Sequence, residues 1–513
     1  MRQTKWWTLA AVSVATFMLL LDVTVVNVAL PAIRDSLGAS FTDLQWVVDA
    51  YALTLAALVL TAGSLADRLG RRRVFVAGLA LFTVASGLCA VAPDPMFLIL
   101  ARGLQGIGAA AMFAVSLALI AHEFDAGRDR GTALGIYGAT IGVAVAIGPL
   151  LGGALTDALG WESIFLLNLP VGVAALVMTF ARLRESRDPN ATSVDWGGTA
   201  TFSAALFLLV FALVRGNDEG WGSALIVSLL AGFAVLLAAF VAIERRVHEP
   251  MLPLTLFRRP AFAGAQIAAL TISASIFSLF LYISLYLQNY LGLSPLQTGL
   301  RYLPITLAVF FASPLAGLLL PRIAPRVLLF GGLTIVAGGL VLMGGIDAGD
   351  GWTTLLPGFI VAGIGVGLLN PVIADLAVSV VPRAQSGMAS GINDTFRQVG
   401  VAIGLAVWGA VFVGRGADRV TELSQMPHDA ARRLVEAVSS GAMPAGRGGA
   451  AADAARAGFL SGMNELFLLG GIVAFVGALL ALWLVRGVRE QEVSDQVGLG
   501  RAPAQPASPP AQP

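Results

Sequence analysis

Apolar residues run along the chain in long blocks separated by short polar loops. A bilayer core takes roughly 20 apolar residues per helix. Fourteen blocks meet that measure, starting near residues 6, 44, 74, 97, 132, 162, 196, 222, 260, 299, 327, 352, 388 and 464. The pattern predicts an all-α membrane protein with 14 transmembrane helices. Arginine placement then orients it, because basic residues concentrate in cytoplasmic loops. With the N-terminus inside, the inner loops hold "RLGRRR" (68–73), Arg128, Arg130, "RLRESR" (182–187), Arg245, Arg246, Arg258, Arg259, Arg322, Arg326 and Arg383. The short outer loops hold only Arg34, Arg215 and Arg301. Both termini are therefore expected in the cytoplasm. Residues 415–463 are expected to form a long outer loop, and the Pro-rich stretch 489–513 a disordered tail.

Composition narrows the function. The chain of 513 residues is 57% hydrophobic and 12% charged, against about 25% charged in soluble proteins. A net charge of +1 offers no case for nucleic acid. The single cysteine, Cys89, lies in an apolar block, so no disulfide framework or metal cluster is expected. The three histidines, His122, His248 and His428, fall in predicted loops without metal-ligand spacing. That pattern disfavours a membrane-embedded enzyme, and the lack of a phosphate-cradling loop disfavours ATP as the energy source. Lys5 is the single lysine among 32 basic residues, a bias that fits a GC-rich bacterial genome.

The blocks also repeat. Residues 62–79, "AGSLADRLGRRRVFVAGL", align without gaps on 316–333, "AGLLLPRIAPRVLLFGGL", with seven of eighteen positions identical. The copies follow helices 2 and 10. Two six-helix halves in parallel orientation then fit, spanning 1–185 and 259–488, with helices 7 and 8 inserted over 186–258. Parallel repeats of this kind characterise transporters in which one half rocks against the other around a midplane site.

Four motifs carry a resemblance. "GSLADRLGRRR" (63–73) resembles the loop 2–3 signature of the major facilitator superfamily, and "LILARGLQGIGAA" (98–110) its helix 4 motif. "GVAVAIGPLLGG" (142–153) resembles the helix 5 motif of its antiporters. "LDVTVVNVALP" (21–31) resembles the helix 1 motif of the fourteen-helix drug:proton antiporter family. The resemblance implies the superfamily fold and proton-driven export of small amphipathic compounds from a bacterial inner membrane. The expected energy source is the proton gradient, with no cofactor and no obligatory protein partner. An exporter of an endogenous metabolite, such as an antibiotic or siderophore-like molecule, is the alternative.

Each motif also has a physical reading. Gly142, Gly148, Gly152 and Gly153 let a neighbouring helix approach closely, and Pro149 removes a backbone donor and bends helix 5. Gly63 and Gly70 permit a tight turn, while Asp67, Arg68 and Arg71 suit a charge network that opens and closes as a gate. In the second copy Pro321 replaces Asp67.

Three charges share a depth. At 1.5 Å per residue, Asp22 on helix 1, Asp49 on helix 2 and Arg102 on helix 4 all fall in the outer half of the membrane. Intramembrane ionisable groups face a bundle interior and pair with one another. An aspartate beside Arg102 stays ionised, and one left alone in apolar surroundings takes a proton. Switching between those conditions would couple transport to protons, and the helix 1 motif favours Asp22 for that role. Asp49 is the candidate for binding a cationic substrate, and a static Asp–Arg pair is the rival reading. In the second half, Asp394 and Arg397 lie three apart on one helix face, where they can satisfy each other, and both are further candidates for the substrate pocket. Helix 9 ends in "FSLFLYISLYLQNY" (277–290), whose Tyr282, Tyr286, Gln288 and Asn289 suit a pocket for amphipathic molecules.

Overall fold

The computed structural model describes residues 2–124, 128–186, 194–247, 250, 252–320, 322–379, 386–439 and 449–485. In lipid no water satisfies backbone groups, so each apolar block closes its own hydrogen bonds as a helix. Fourteen long helices result: α1 (Arg2–Leu37), α2 (Phe41–Leu69), α3 (Arg71–Ala90), α4 (Pro95–Glu123), α5 (Arg128–Leu159) and α6 (Glu162–Arg182). The inserted pair is α7 (Trp196–Glu219) and α8 (Ala224–Glu244). Then come α9 (Pro260–Tyr290), α10 (Pro295–Leu319), α11 (Pro325–Met343), α12 (Leu356–Ser379), α13 (Ser386–Ser424) and α14 (Ala450–Leu484). Thirteen are long and apolar enough to cross a membrane. In the remaining one, α5, the stretch Ile147–Leu159 is apolar. No strand occurs among the described residues.

Local chemistry sets the helix starts. Ser40 and Asp43 form a capping box at α2, Ser294 and Gln297 another at α10, and Asp94 caps α4 ahead of Pro95. The starts of α2 and α10 are as far apart in the chain as those of α3 and α11, and both intervals equal the offset of the sequence repeat.

Packing repeats with the same offset. Contacts between α1 and α5, α2 and α4, α3 and α4, α3 and α6, and α1 and α6 recur between α9 and α13, α10 and α12, α11 and α12, α11 and α14, and α9 and α14. The two bundles meet through α2 against α13 and α5 against α10, which exchange under the same shift of eight helices. The inserted α7 lies over one of these junctions: Leu206, Val210 and Val214 pack with Leu53 and Ala56 of α2 and with Ala402 and Ala406 of α13. Even helix number brings Arg2 and Leu484 to one side, here the terminal face, opposite the far face.

One expectation is corrected. Most of 415–463 is helix: α13 continues to Ser424, a short helix covers His428–Ser439, and α14 begins at Ala450. These residues are too rich in Ala, Gly and Arg to read as lipid-soluble, yet alanine is the strongest helix former. The short helix buries Ala431, Val435 and Val438 on one face. The proposed tail, 489–513, lies outside the described residues.

Candidate functional site

Asp22 lies within a closed polar cluster in the far half of the N-terminal bundle. Its Oδ2 accepts from an Arg102 guanidinium nitrogen at 2.5 Å. Its Oδ1 accepts from Gln105 Nε2 and Asn168 Nδ2, both at 2.9 Å. Ser86 Oγ accepts from the same two amides at 2.6 and 3.1 Å. Arg102 also donates to Gln105 Oε1 at 2.6 Å and, through Nε, to the Val47 carbonyl at 3.1 Å. Its guanidinium lies 4.3 Å from the Tyr51 ring centroid. Asp22 and Arg102 are 1% and 2% exposed, so five helices surround a buried, hydrogen-bonded ion pair. Sequence reasoning missed Gln105, Asn168 and Ser86. Gln105, three residues after Arg102 and so on the same helix face, was the one with a signal to find.

Asp49 has the opposite surroundings. It is fully buried, and neither carboxylate oxygen has a hydrogen-bond partner. One turn before it, Gln45 Nε2 donates across the junction to the Leu405 carbonyl of α13 at 3.2 Å and to Tyr282 Oη at 3.4 Å. Tyr282 Oη in turn donates to Leu405 O at 2.8 Å. Gly409 makes this meeting possible, because a side chain there would run into Gln45 and Tyr282. Phe41 adds a further layer, 6.1 Å from the Tyr282 ring and 6.2 Å from that of Phe412. The structure thus joins Asp22 to Arg102 and leaves Asp49 apart, facing the other bundle.

Two other candidates from the end of α9, Gln288 and Asn289, donate to main-chain carbonyls. Gln288 Nε2 donates to the Val28 carbonyl of α1 at 2.7 Å, a second fastening between the bundles. Asn289 Nδ2 donates to Ser439 O at 2.5 Å and holds the short helix. Tyr286 is buried with its hydroxyl unpartnered and stacks on Tyr290. Two π-helical turns, Ser273–Phe277 and Tyr286–Tyr290, interrupt α9. The first offers the Ala274 carbonyl to Trp408 Nε1 at 2.7 Å.

The glycines of α5 serve two neighbours, α1 within the bundle and α10 across the junction. A side chain at Gly148 would run into Thr24, and a Cβ at Gly152 would fall 2.8 Å from Val25 Cα, both on α1. Gly153 faces the Pro295 backbone of α10, and Gly299 of α10 faces the Pro149 carbonyl in return. The surroundings of Gly142 and the side chain of Asp67 fall outside the described set. Gly63 sits against Ala114, Arg68 is exposed, and Arg71 N–H donates to Ser186 O at 2.8 Å. Gly70, at φ +112°, turns the chain between α2 and α3 beside the Glu185 carboxylate. Glu185, also missed from sequence, accepts from the Arg72 N–H at 3.0 Å.

In the C-terminal bundle Arg397 donates to Asn393 Oδ1 at 3.2 Å and Asn370 Oδ1 at 3.0 Å. Asp394 is half-buried and is not among its hydrogen-bond partners. No group of three or more His, Cys, Asp or Glu able to hold a metal occurs among the described residues.

Over 96% of this chain and 98% of its own, a bacterial homologue of the human lysosomal transporter Spinster, solved in an inward-facing, unoccupied conformation, superposes with a TM-score of 0.64 at 16% identity. The multidrug resistance protein Stp of Mycobacterium tuberculosis is 39% identical over 411 residues, covering 80% of this chain and 76% of that protein. The tetracenomycin C resistance and export protein of Streptomyces glaucescens is 32% identical over 510 residues, covering 97% and 94%. The puromycin resistance protein pur8 of Streptomyces alboniger is 37% identical over 82% of this chain and 85% of its own. The family model of the Major Facilitator Superfamily matches residues 12–405, and this multi-pass membrane protein belongs to that superfamily.

Proposed function

We propose that this protein is a proton-coupled exporter of small amphipathic organic compounds, a multidrug efflux antiporter working by alternating access. The resistance and export functions named for Stp, pur8 and the tetracenomycin C protein support the export reading. The terminal face is then cytoplasmic, in a bacterial inner membrane, and the proton gradient supplies the energy with no cofactor and no enzymatic step.

One observation carries the coupling: two carboxylates of one bundle have opposite partners. Asp22 is fixed by Arg102, Gln105 and Asn168, so it serves as the counter-ion that keeps Arg102 buried. Asp49 has no such partners, and burying an unpaired ionised carboxylate costs far more than burying the neutral acid. The closed junction of α2 and α13 therefore favours the acid at Asp49. Parting the bundles on the far side admits water to this position, where the group gains or loses its proton. The motif residue Asp22 is read as the anchor and Asp49 as the proton carrier.

The test is uptake of a dye and antibiotic panel into inverted membrane vesicles with an imposed pH gradient. Wild type is expected to accumulate at least one lipophilic compound. Asp49→Asn, which mimics the neutral acid, is expected to lose gradient-driven accumulation while still equilibrating substrate down its own gradient. Full gradient-driven accumulation by Asp49→Asn would remove Asp49 from the coupling mechanism.

A further inference from the structure

The two seams between the bundles are built differently. At the seam of α5 with α10, backbone meets backbone: Gly153 faces the Pro295 main chain and Gly299 the Pro149 carbonyl. At the seam of α2 with α13, backbone meets side chain: Gly391 lies against Leu60 and Gly409 against Gln45. Helices held apart by side chains leave a furrow along their outer side, and α7 lies along this one, touching both walls.

Its grip on the two walls is unequal. On α2, the hydroxyls of Thr61 and Thr199 share a hydrogen bond of 2.6 Å. The Trp46 ring stands 6.1 Å from that of Phe207 and 6.0 Å from that of Phe211, and those two stack on each other at 5.8 Å. Hydroxyl pairs and offset rings are directional, so each holds one register. They are spread along α2 from Trp46 to Thr61, which fixes α7 in tilt as well as in position. On α13, the side chains that share the seam with Leu206, Val210 and Val214 are Ala402 and Ala406, with Val399 beside them. Methyl groups against aliphatic chains offer dispersion alone, which has no preferred direction. Baring them to lipid costs little, because lipid tails are as apolar as leucine.

We infer that α7 is a sliding seal: it travels with the N-terminal bundle, rides over α13 as the bundles rock, and keeps lipid out of the α2–α13 seam. The repeat-related α5–α10 seam closes by its own glycines instead. The inference rests on alternating access and adds the part that the inserted helices play in it.

The test ties α7 to each wall in turn, in a Cys89→Ala background, with transport of the dye and antibiotic panel into inverted vesicles as one readout. Trp46→Cys/Phe207→Cys joins α7 to α2, and Val210→Cys/Ala406→Cys joins it to α13. Disulfide formation by copper phenanthroline is followed by mass spectrometry of the cleaved chain. Complete cross-linking is expected to leave transport unchanged for the α2 pair and to abolish it, reversibly by reductant, for the α13 pair. Transport lost on tying α7 to α2, or kept on tying it to α13, overturns the seal.

A second measurement replaces exposed residues only. Spin labels at Ser36, Gly222 and Ala348 mark the far end of α1, the turn between α7 and α8 and the loop between α11 and α12. Double electron–electron resonance reads their separations in nanodiscs at acid and alkaline pH. The separation of Ser36 from Ala348 reports the rocking of the bundles. That of Gly222 from Ala348 is expected to change with it, while that of Gly222 from Ser36 stays fixed. A change between Gly222 and Ser36 that matches the bundle motion overturns the seal. A fixed separation of Ser36 from Ala348 sinks alternating access itself.

Discussion

At Asp22 and Arg102, each charge is the other's reason for being buried. Removing one partner of such a pair strands the other away from water and costs about 3–5 kcal/mol, whereas removing both is far milder. Asp22→Asn is therefore expected to lower the thermal unfolding midpoint in detergent sharply. Asp22→Asn combined with Arg102→Gln is expected to recover most of the loss. A single variant as stable as wild type would show that the ion pair does not hold the N-terminal bundle together. The contrast with Asp49 was not legible in sequence. Counting residues from helix ends gives depth, and depth brought Asp22, Asp49 and Arg102 to one level. It does not give rotation about the helix axis, which decides that Asp22 meets Arg102 and Asp49 does not. Nor does an amide in a helix announce its partner: Gln288, read as a pocket residue, spends its donor on α1.

At the scale of helices, the close contact of α5 with α10 depends on glycine. A Cβ at Gly299 would fall 2.9 Å from Leu150 Cα and meet the Pro149 carbonyl. Backbone atoms cannot swing aside as a side-chain tip can, so Gly299→Val is expected to force the helices apart and abolish transport, at a cost of about 1–3 kcal/mol in stability. Gly317→Val, on the same helix but facing open space, is the control expected to express and transport like wild type. Equal activity in both variants would deny the α5–α10 contact any part in transport. Helix positions were the most legible feature, since apolar runs in lipid admit one solution, and most predicted starts fall within a few residues of those observed. The start of α14 was missed by more because Ala450–Met463 is helical without being strongly apolar. The π-helical turns of α9 had no sequence signal of their own, for the stretch reads as one unbroken span.

For the whole molecule, alternating access requires the far junction to open and close. Phe41 of α2 and Phe412 of α13 face each other across it. A Phe41→Cys/Phe412→Cys pair, made with Cys89→Ala, is expected to be joined by a short bifunctional thiol reagent and to stop transport, and singly mutated chains are not. Continued transport after complete cross-linking would rule out separation of α2 from α13 at this level. The repeat legible at 62–79 and 316–333 recurs in the packing of the two bundles, but the sequence did not show that α7 lies across α2 and α13. The polar fastening of the far junction is light for its area. Gln45 to Leu405 and Gln288 to Val28 are neutral hydrogen bonds, worth about 1 kcal/mol each. A membrane potential does work of about 2.3 kcal/mol on each unit charge per 100 mV. The polar part of the latch is thus of the same size as the work that a potential of about 100 mV does on one unit charge.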